Sequence, residues 1–114
     1  MVRSPDAERR AIAEYSVSRV CELAKQGCVH YLSRRVQQDV ENLGYAPEDV
    51  HRCLQLLNDC HFKHAERYDA AGPWFDVYLV PYCGPTGVVD DLYVKLKLDR
   101  DCVVVNLASF HRER

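Results

Sequence analysis

The chemically capable side chains of this chain gather in residues 61–78, His-Phe-Lys-His-Ala-Glu-Arg-Tyr-Asp-Ala-Ala-Gly-Pro-Trp-Phe-Asp-Val-Tyr, where Lys63, His64, Arg67 and Tyr68 fall within six positions. In a regular extended strand Lys63 and Arg67 would share one side, and Phe62, His64 and Tyr68 the other. Ala-Gly-Pro then predicts a turn, and Trp-Phe-Asp-Val-Tyr-Leu-Val a second strand. Cations beside an aromatic strand can hold phosphate by charge and stack bases on rings, the division of labour used for single-stranded nucleic acid. The same residues on the open face of an antiparallel sheet can also be simply solvated.

Beyond this stretch the sequence offers Tyr93, Lys95 and His111, dispersed over later strands and the carboxyl end. It contains no glycine-rich phosphate loop, dinucleotide fingerprint, nucleophile elbow or His-Glu-x-x-His. A set made of Lys63, His64, Arg67, Tyr93, Lys95 and His111 suits a reaction in which the substrate supplies its own nucleophile. RNA does so, since its 2′-hydroxyl attacks the adjacent phosphate given a base, an acid and cations for the added negative charge. On the plainer reading Tyr93 and Lys95 are outward strand residues and His111 lies in a tail.

At 114 residues the chain has the size of one domain with its own core. Its formal charge is −2, with eight Lys/Arg against nine Asp/Glu in residues 1–60 and seven against eight in 61–114, so neither half is basic. That argues against gripping duplex nucleic acid by bulk charge and leaves room for a local cationic cleft. No apolar run has the length of a membrane span and the charged amino terminus lacks the centre of a secretory signal, which predicts a cytoplasmic protein without membrane association. Six cysteines, at 21, 28, 53, 60, 83 and 102, form no Cys-x2-Cys pair. Cys60 with His61 and His64 is the one local cluster with ligand chemistry, and it lacks further ligands nearby, so no metal or other cofactor is expected.

The elements that must position these groups follow from caps and periodicity. Ser4-Pro5-Asp6 predicts a helix start, with Val17, Val20, Cys21 and Ala24 as a stripe, a break possible near Tyr15, and Gly27 as the end. Cys28 to Leu32 reads as a short extended link. Ser33 caps a second helix with Val36, Val40 and Leu43 inward and Gly44 at its end, and Pro47-Glu48-Asp49 opens a third with Val50, Cys53, Leu54 and Leu57 inward. From Cys60 the period becomes that of strands, predicted over 60–68, 73–81, 91–98 and 102–108. Leu92, Val94, Leu96 and Leu98 alternate with Tyr93, Lys95 and Lys97, while Cys102 to Val105 reads as strand covered on both sides. The prediction is an α+β domain with three amino-terminal helices packed on an antiparallel sheet of about four strands.

The order Leu-Ala-Lys-Gln-Gly, Glu-Asn-Leu-Gly-Tyr, Phe-Lys, Trp-Phe-Asp-Val-Tyr, Leu-Tyr-Val-Lys-Leu and Val-Val-Asn-Leu-Ala-Ser-Phe-His resembles the MqsR family of bacterial toxins from about Ser16 to His111. The resemblance implies a RelE-like fold and a single toxin-like ribonuclease domain over 1–114, with 1–15 as an amino-terminal extension. It implies a sequence-selective endoribonuclease that cuts single-stranded mRNA and is held inactive by a cognate antitoxin. Lys63 matches the lysine of the family's Phe-Lys motif and Tyr93 the tyrosine of its Tyr-x-Lys strand. His111 corresponds to the lysine of a carboxyl-terminal Ser-Phe-Lys once a small insertion is accepted. Phe75 stands where the family has glutamine after the tryptophan, and a phenyl ring cannot hydrogen-bond a phosphate, so stacking a base is the role left to it.

These lines predict a metal-independent endoribonuclease toxin that leaves a 2′,3′-cyclic phosphate. Lys63 would stabilise the developing charge or draw the 2′-proton, Tyr93 would orient or donate, and His111 would act as acid. Arg67, Phe75, Lys95 and His64 would bind substrate. The alternative is a catalytically impaired family member that acts as a protein- or RNA-binding module.

Overall fold

Gly27 and Gly44, with φ of +75° and +79°, end two helices where the sequence places their ends. In the computed structural model, which describes residues 8–113, α1 spans Val17–Lys25, α2 Arg34–Asn42 and α3 Pro47–Gln55. The Ser33 hydroxyl accepts from the Val36 N–H at 3.4 Å and caps α2, and the Asp49 carboxylate reaches back to the Ala46 N–H at 2.9 Å at the start of α3. Most of the predicted stripes is buried, Val20 and Ala24 on α1, Val36 and Val40 on α2, and Val50, Cys53 and Leu54 on α3, while Val17, Cys21 and Leu43 are half-buried against the core.

The first helix differs at its start. Ser4-Pro5-Asp6 lies outside the described residues, and Glu8–Arg10 forms a strand, β1, rather than helix. The helix begins only after Ser16, whose hydroxyl accepts from the Arg19 N–H at 3.2 Å. Just before it, the N–H groups of Glu14 and Tyr15 both donate to the buried carboxylate of Asp76 at 2.9 Å. Donors claimed by a distant carboxylate are not available to a helical ladder, so tertiary contact overrides the local preference.

The sheet has six strands in the order β1-β3-β4-β5-β6-β2, and not about four. They are β1, β2 (Val29–Tyr31), β3 (Phe62–Arg67), β4 (Phe75–Cys83), β5 (Val89–Leu98) and β6 (Val105–Arg112). The last four correspond to the predicted strands. β1 and β2 are edge strands of three residues, too short to show alternation in a sequence. β2, predicted as a short extended link, runs parallel to β6, so the sheet is mixed and not purely antiparallel.

The strand predicted from Cys102 starts at Val105. Asp99 accepts from the N–H groups of Val103 and Val104 at 2.9 and 3.2 Å, and Cys102 takes a φ of +55°. Those donors serve a turn instead of a ladder, and Val103 is left 47% exposed.

The helices pack on the sheet face that carries Tyr78, Val80, Leu92, Val94, Leu96 and Phe110. The opposite face carries His64 and Glu66 of β3, Val77 of β4, and Tyr93 and Lys95 of β5. Two register shifts decide what stands on each. Between Phe62 and His64 an extra residue, Lys63, lets Phe62 pair with Tyr78 while His64 pairs with Val77. Ala108 does the same on β6, where Leu107 pairs with Leu96 but Ser109 pairs with Lys95.

Candidate functional site

The β6 bulge builds the candidate site. Continued regularly from the Leu96–Leu107 pair, β6 would set Phe110 opposite Tyr93 and turn His111 toward the core. With Ala108 accommodated as an extra residue, Tyr93 pairs with His111, and Phe110 pairs with Val94 in the core. The Tyr93 and His111 rings stack with centroids 5.1 Å apart and planes 7° from parallel. Together with Lys95, Ser109 and Glu113 they line an open cleft of about 400 Å³. A neighbouring groove continues from His111 toward Arg35 and Asp39 of α2.

His111 Nδ1 lies 2.7 Å from the Arg112 carbonyl oxygen, which can only accept, so Nδ1 carries the hydrogen. Nε2 is then the basic nitrogen of the neutral ring and the second donor of the protonated one. Burial first, and the Glu66 carboxylate next, push the Tyr93 hydroxyl above its ordinary pKa, with Lys95 opposing. Tyr93 is therefore a phenol at neutral pH, a donor rather than a base.

Next to the cleft stands a network centred on Glu66, which is 5% exposed. His64 Nε2 lies 2.7 Å from Glu66 Oε1, and Lys95 Nζ lies 3.4 Å from Glu66 Oε2. The Tyr68 hydroxyl donates to the same carboxylate and accepts from Lys95. Arg9 of β1 stands 3.9 Å away. Burial alone would push the Glu66 carboxyl up, but the hydrogen bonds from Tyr68 and His64 and the charge of Lys95 outweigh it and hold it below the usual range. Phe75 completes the edge, its ring 5.9 Å from that of Tyr68 and 6.0 Å from the Lys95 ammonium.

Of the residues singled out from sequence, Tyr93, Lys95 and His111 thus share one cleft, with His64 and Phe75 on the same face. Lys63 is exposed at the β3 bulge, and its side chain has no hydrogen bond or ion pair among the described residues. Arg67 is not on that face. It follows Glu66 in a regular register and turns away, pairing with Glu8 at 2.9 Å and lying 4.8 Å from the Trp74 ring, which Arg10 also covers at 4.0 Å. Phe62, expected beside His64 and Tyr68, instead packs edge-on against Tyr78 in the core at 5.6 Å.

Sequence reasoning missed Glu66 and gave Tyr68 no role. The period-two spacing of His64, Glu66 and Tyr68 was the available signal, since it sets all three on one face of a strand. Cys60, His61 and His64 do not converge: His61 Nδ1 accepts from the Asn58 N–H at 3.2 Å while His64 faces Glu66. Among the described residues no group of three or more His, Cys, Asp or Glu is placed to hold a metal ion. No helix among them is long and apolar enough to cross a membrane.

Compared with known families, residues 12–112 match the one described as "Motility quorum-sensing regulator, toxin of MqsA". No curated protein matches the chain.

Proposed function

The chain belongs to the MqsR toxin family over residues 12–112, and from that premise we propose that it is a metal-independent mRNA endoribonuclease of a toxin–antitoxin system. The family makes it a toxin with an antitoxin partner of the MqsA kind. Cleavage would proceed by attack of a 2′-hydroxyl on the adjacent phosphate, and an mRNA substrate would put its work in the cytoplasm.

The observation that carries this reading is the stacked pair Tyr93 and His111, set beside Lys95 in an open cleft on the face opposite the helices. A phenol donor, an imidazole with a free Nε2 and a cation are the groups that RNA transesterification needs. Protonated His111 gives its Nε2 hydrogen to the leaving 5′-oxygen, Tyr93 donates to a phosphate oxygen, and Lys63, exposed on β3, adds positive charge. Phe75, beside Tyr68, offers a ring on which a base can stack.

The test is incubation of the purified protein with single-stranded RNA, with analysis of the ends. The expected products carry a 2′,3′-cyclic phosphate and a 5′-hydroxyl, and expression without antitoxin should arrest growth. Intact RNA and unaffected growth would favour the second reading, a catalytically impaired member that binds a protein or RNA. Phe75 in place of a glutamine that could bond phosphate is the observation in favour of that alternative.

A further inference from the structure

Tyr68, at 51%, is the most exposed Tyr, Phe or Trp among the described residues, yet it is not a loose surface side chain. Its hydroxyl donates to Oε2 of Glu66 and accepts from the Lys95 ammonium. Glu66 is buried, and its Oε1 is engaged by His64 at 2.7 Å. One end of Tyr68 is thus fixed to a buried group while much of the ring stands in solvent. Phe75 flanks it, centroids 5.9 Å apart and planes tilted by 51°. A ring held in this way has little conformational freedom left to lose when another ring stacks on it.

Lys95 joins this ring to the cleft. Its side chain lines the cleft with Tyr93 and His111, and its ammonium lies 5.0 Å from the Tyr68 ring centroid. Tyr68 and Glu66 are the partners of that ammonium among the described residues, so one of its three hydrogens is left for a phosphate oxygen. A phosphate on Lys95 and a base on Tyr68 are therefore neighbours. At the other end of the cleft, His111 borders the groove that runs to Arg35 and Asp39 of α2. With His111 at the leaving 5′-oxygen, the attacking 2′-oxygen stands on the far side of phosphorus, because attack and departure are in line. The nucleotide that carries the 2′-oxygen then extends toward Lys95 and Tyr68, and the leaving strand toward α2.

We propose that Tyr68 is the stacking platform for the base on the 5′ side of the scissile phosphate and that Glu66 positions it, a proposal that rests on the endoribonuclease reading above. The ring supplies the contact, and the buried carboxylate holds both the ring and the Lys95 ammonium in place. Stacking of this kind accepts any base, because every base has a π-face.

The experiment uses a short single-stranded RNA that the full chain cuts at one position, and the same RNA with an abasic ribonucleotide on the 5′ side of that position. The parent should lose roughly 5- to 150-fold in kcat/KM on the abasic RNA, the worth of one stacked base, mostly through KM. Tyr68→Ala, checked by thermal melting, should lose a similar factor on the intact RNA and nothing further on the abasic one, since both changes remove the same contact. Tyr68→Phe keeps the ring and should recover most of the loss. A Tyr68 that only braces Glu66 and Lys95 gives the opposite pattern: Tyr68→Ala loses the same factor on both RNAs, and Tyr68→Phe, which lacks the hydroxyl, shares the loss. That pattern overturns the proposal. So does a parent that cuts both RNAs equally well, or a Tyr68→Ala that cuts as the parent does, the result for a ring that serves a protein partner instead. Each of these leaves the endoribonuclease reading standing, whereas a parent chain that cuts no RNA removes both.

Discussion

Tyr93 and His111 lie face to face across β5 and β6, ring centroids 5.1 Å apart, because Ala108 is an extra residue in β6. One position of slip would send His111 into the core and Phe110 onto the open face, so the pairing of these two rings and the packing of Phe110 depend on the same bulge.

Both members of the pair can be tested without disturbing the core. Tyr93→Phe keeps the stack, and His111→Gln keeps a polar side chain at the rim, so each should melt within about 0.5 kcal/mol of the parent. Cleavage by each should fall ~10²- to 10⁴-fold. Because burial raises the Tyr93 pKa, its phenol stays protonated beyond the ordinary value of ~10, and the loss in Tyr93→Phe should be the same at every pH from 6 to 9.

Lys63 stands exposed at the β3 bulge, and Lys63→Ala should fold normally. Loss of a group that stabilises transition-state charge costs ~10²- to 10³-fold in rate, which a gel-based cleavage assay resolves. Lys97→Ala is the control, since Lys97 shares a strand face with Lys95 and has no proton-transfer role; it should weaken binding at most. Lys95 does not serve as that control, because its ammonium helps hold Glu66.

Proton transfer by side chains needs no metal, so cleavage should continue in excess EDTA. Activity lost on chelation and regained with zinc or magnesium would replace this chemistry with a metal-assisted one.

Acid stability should depend on a buried pair, Tyr45 and Asp90. The Tyr45 hydroxyl donates to buried Asp90 at 2.7 Å, and Arg112 donates at 2.9 Å. The Tyr45 bond first, then Arg112, hold the Asp90 carboxyl below its usual range against the effect of burial. With the folded pKa depressed, the stabilisation is complete above the unfolded value of ~3.9 and is lost as pH falls through the folded one. Tyr45→Phe should cost ~1.5 to 3 kcal/mol at pH 7 by denaturant titration, with the difference from the parent shrinking below pH 4.

The ring of Tyr45 also limits the turn after β4. A Cβ added at Gly84 would meet the Tyr45 ring at 2.9 Å, closer than a packed carbon tolerates. Gly84→Ala should destabilise by ~1 to 3 kcal/mol through displacement of that ring, and its cleavage rate at a temperature well below melting should match the parent.

Much of this was legible without a structure. Helix caps at Ser33 and Pro47, the glycine ends at 27 and 44, and the alternation of Leu92 to Leu98 are local signals, because capping hydrogen bonds and strand periodicity act between residues a few positions apart. They gave the α+β class, the three helices, the four longer strands and the side of β5 that bears Tyr93 and Lys95. The motifs around Lys63, Trp74 and Tyr93 gave the family in the same way, as residue types in order.

What the sequence could not decide were events that depend on partners distant along the chain. β1 is a strand only because Glu8–Arg10 finds the edge of β3, and β2 only because it finds β6, while Asp76 takes the donors that would have lengthened α1. The two bulges are of the same kind. Strict alternation puts Phe62 with His64 and leaves His111 on the side of Val105 and Leu107; burial of Phe62 against Tyr78 and of Phe110 in the core draws each strand one residue out of step. Because side chains alternate with a period of two, one inserted residue exchanges faces for everything beyond it, and so core packing set His64 and Glu66 on the face opposite Phe62 and His111 beside Tyr93.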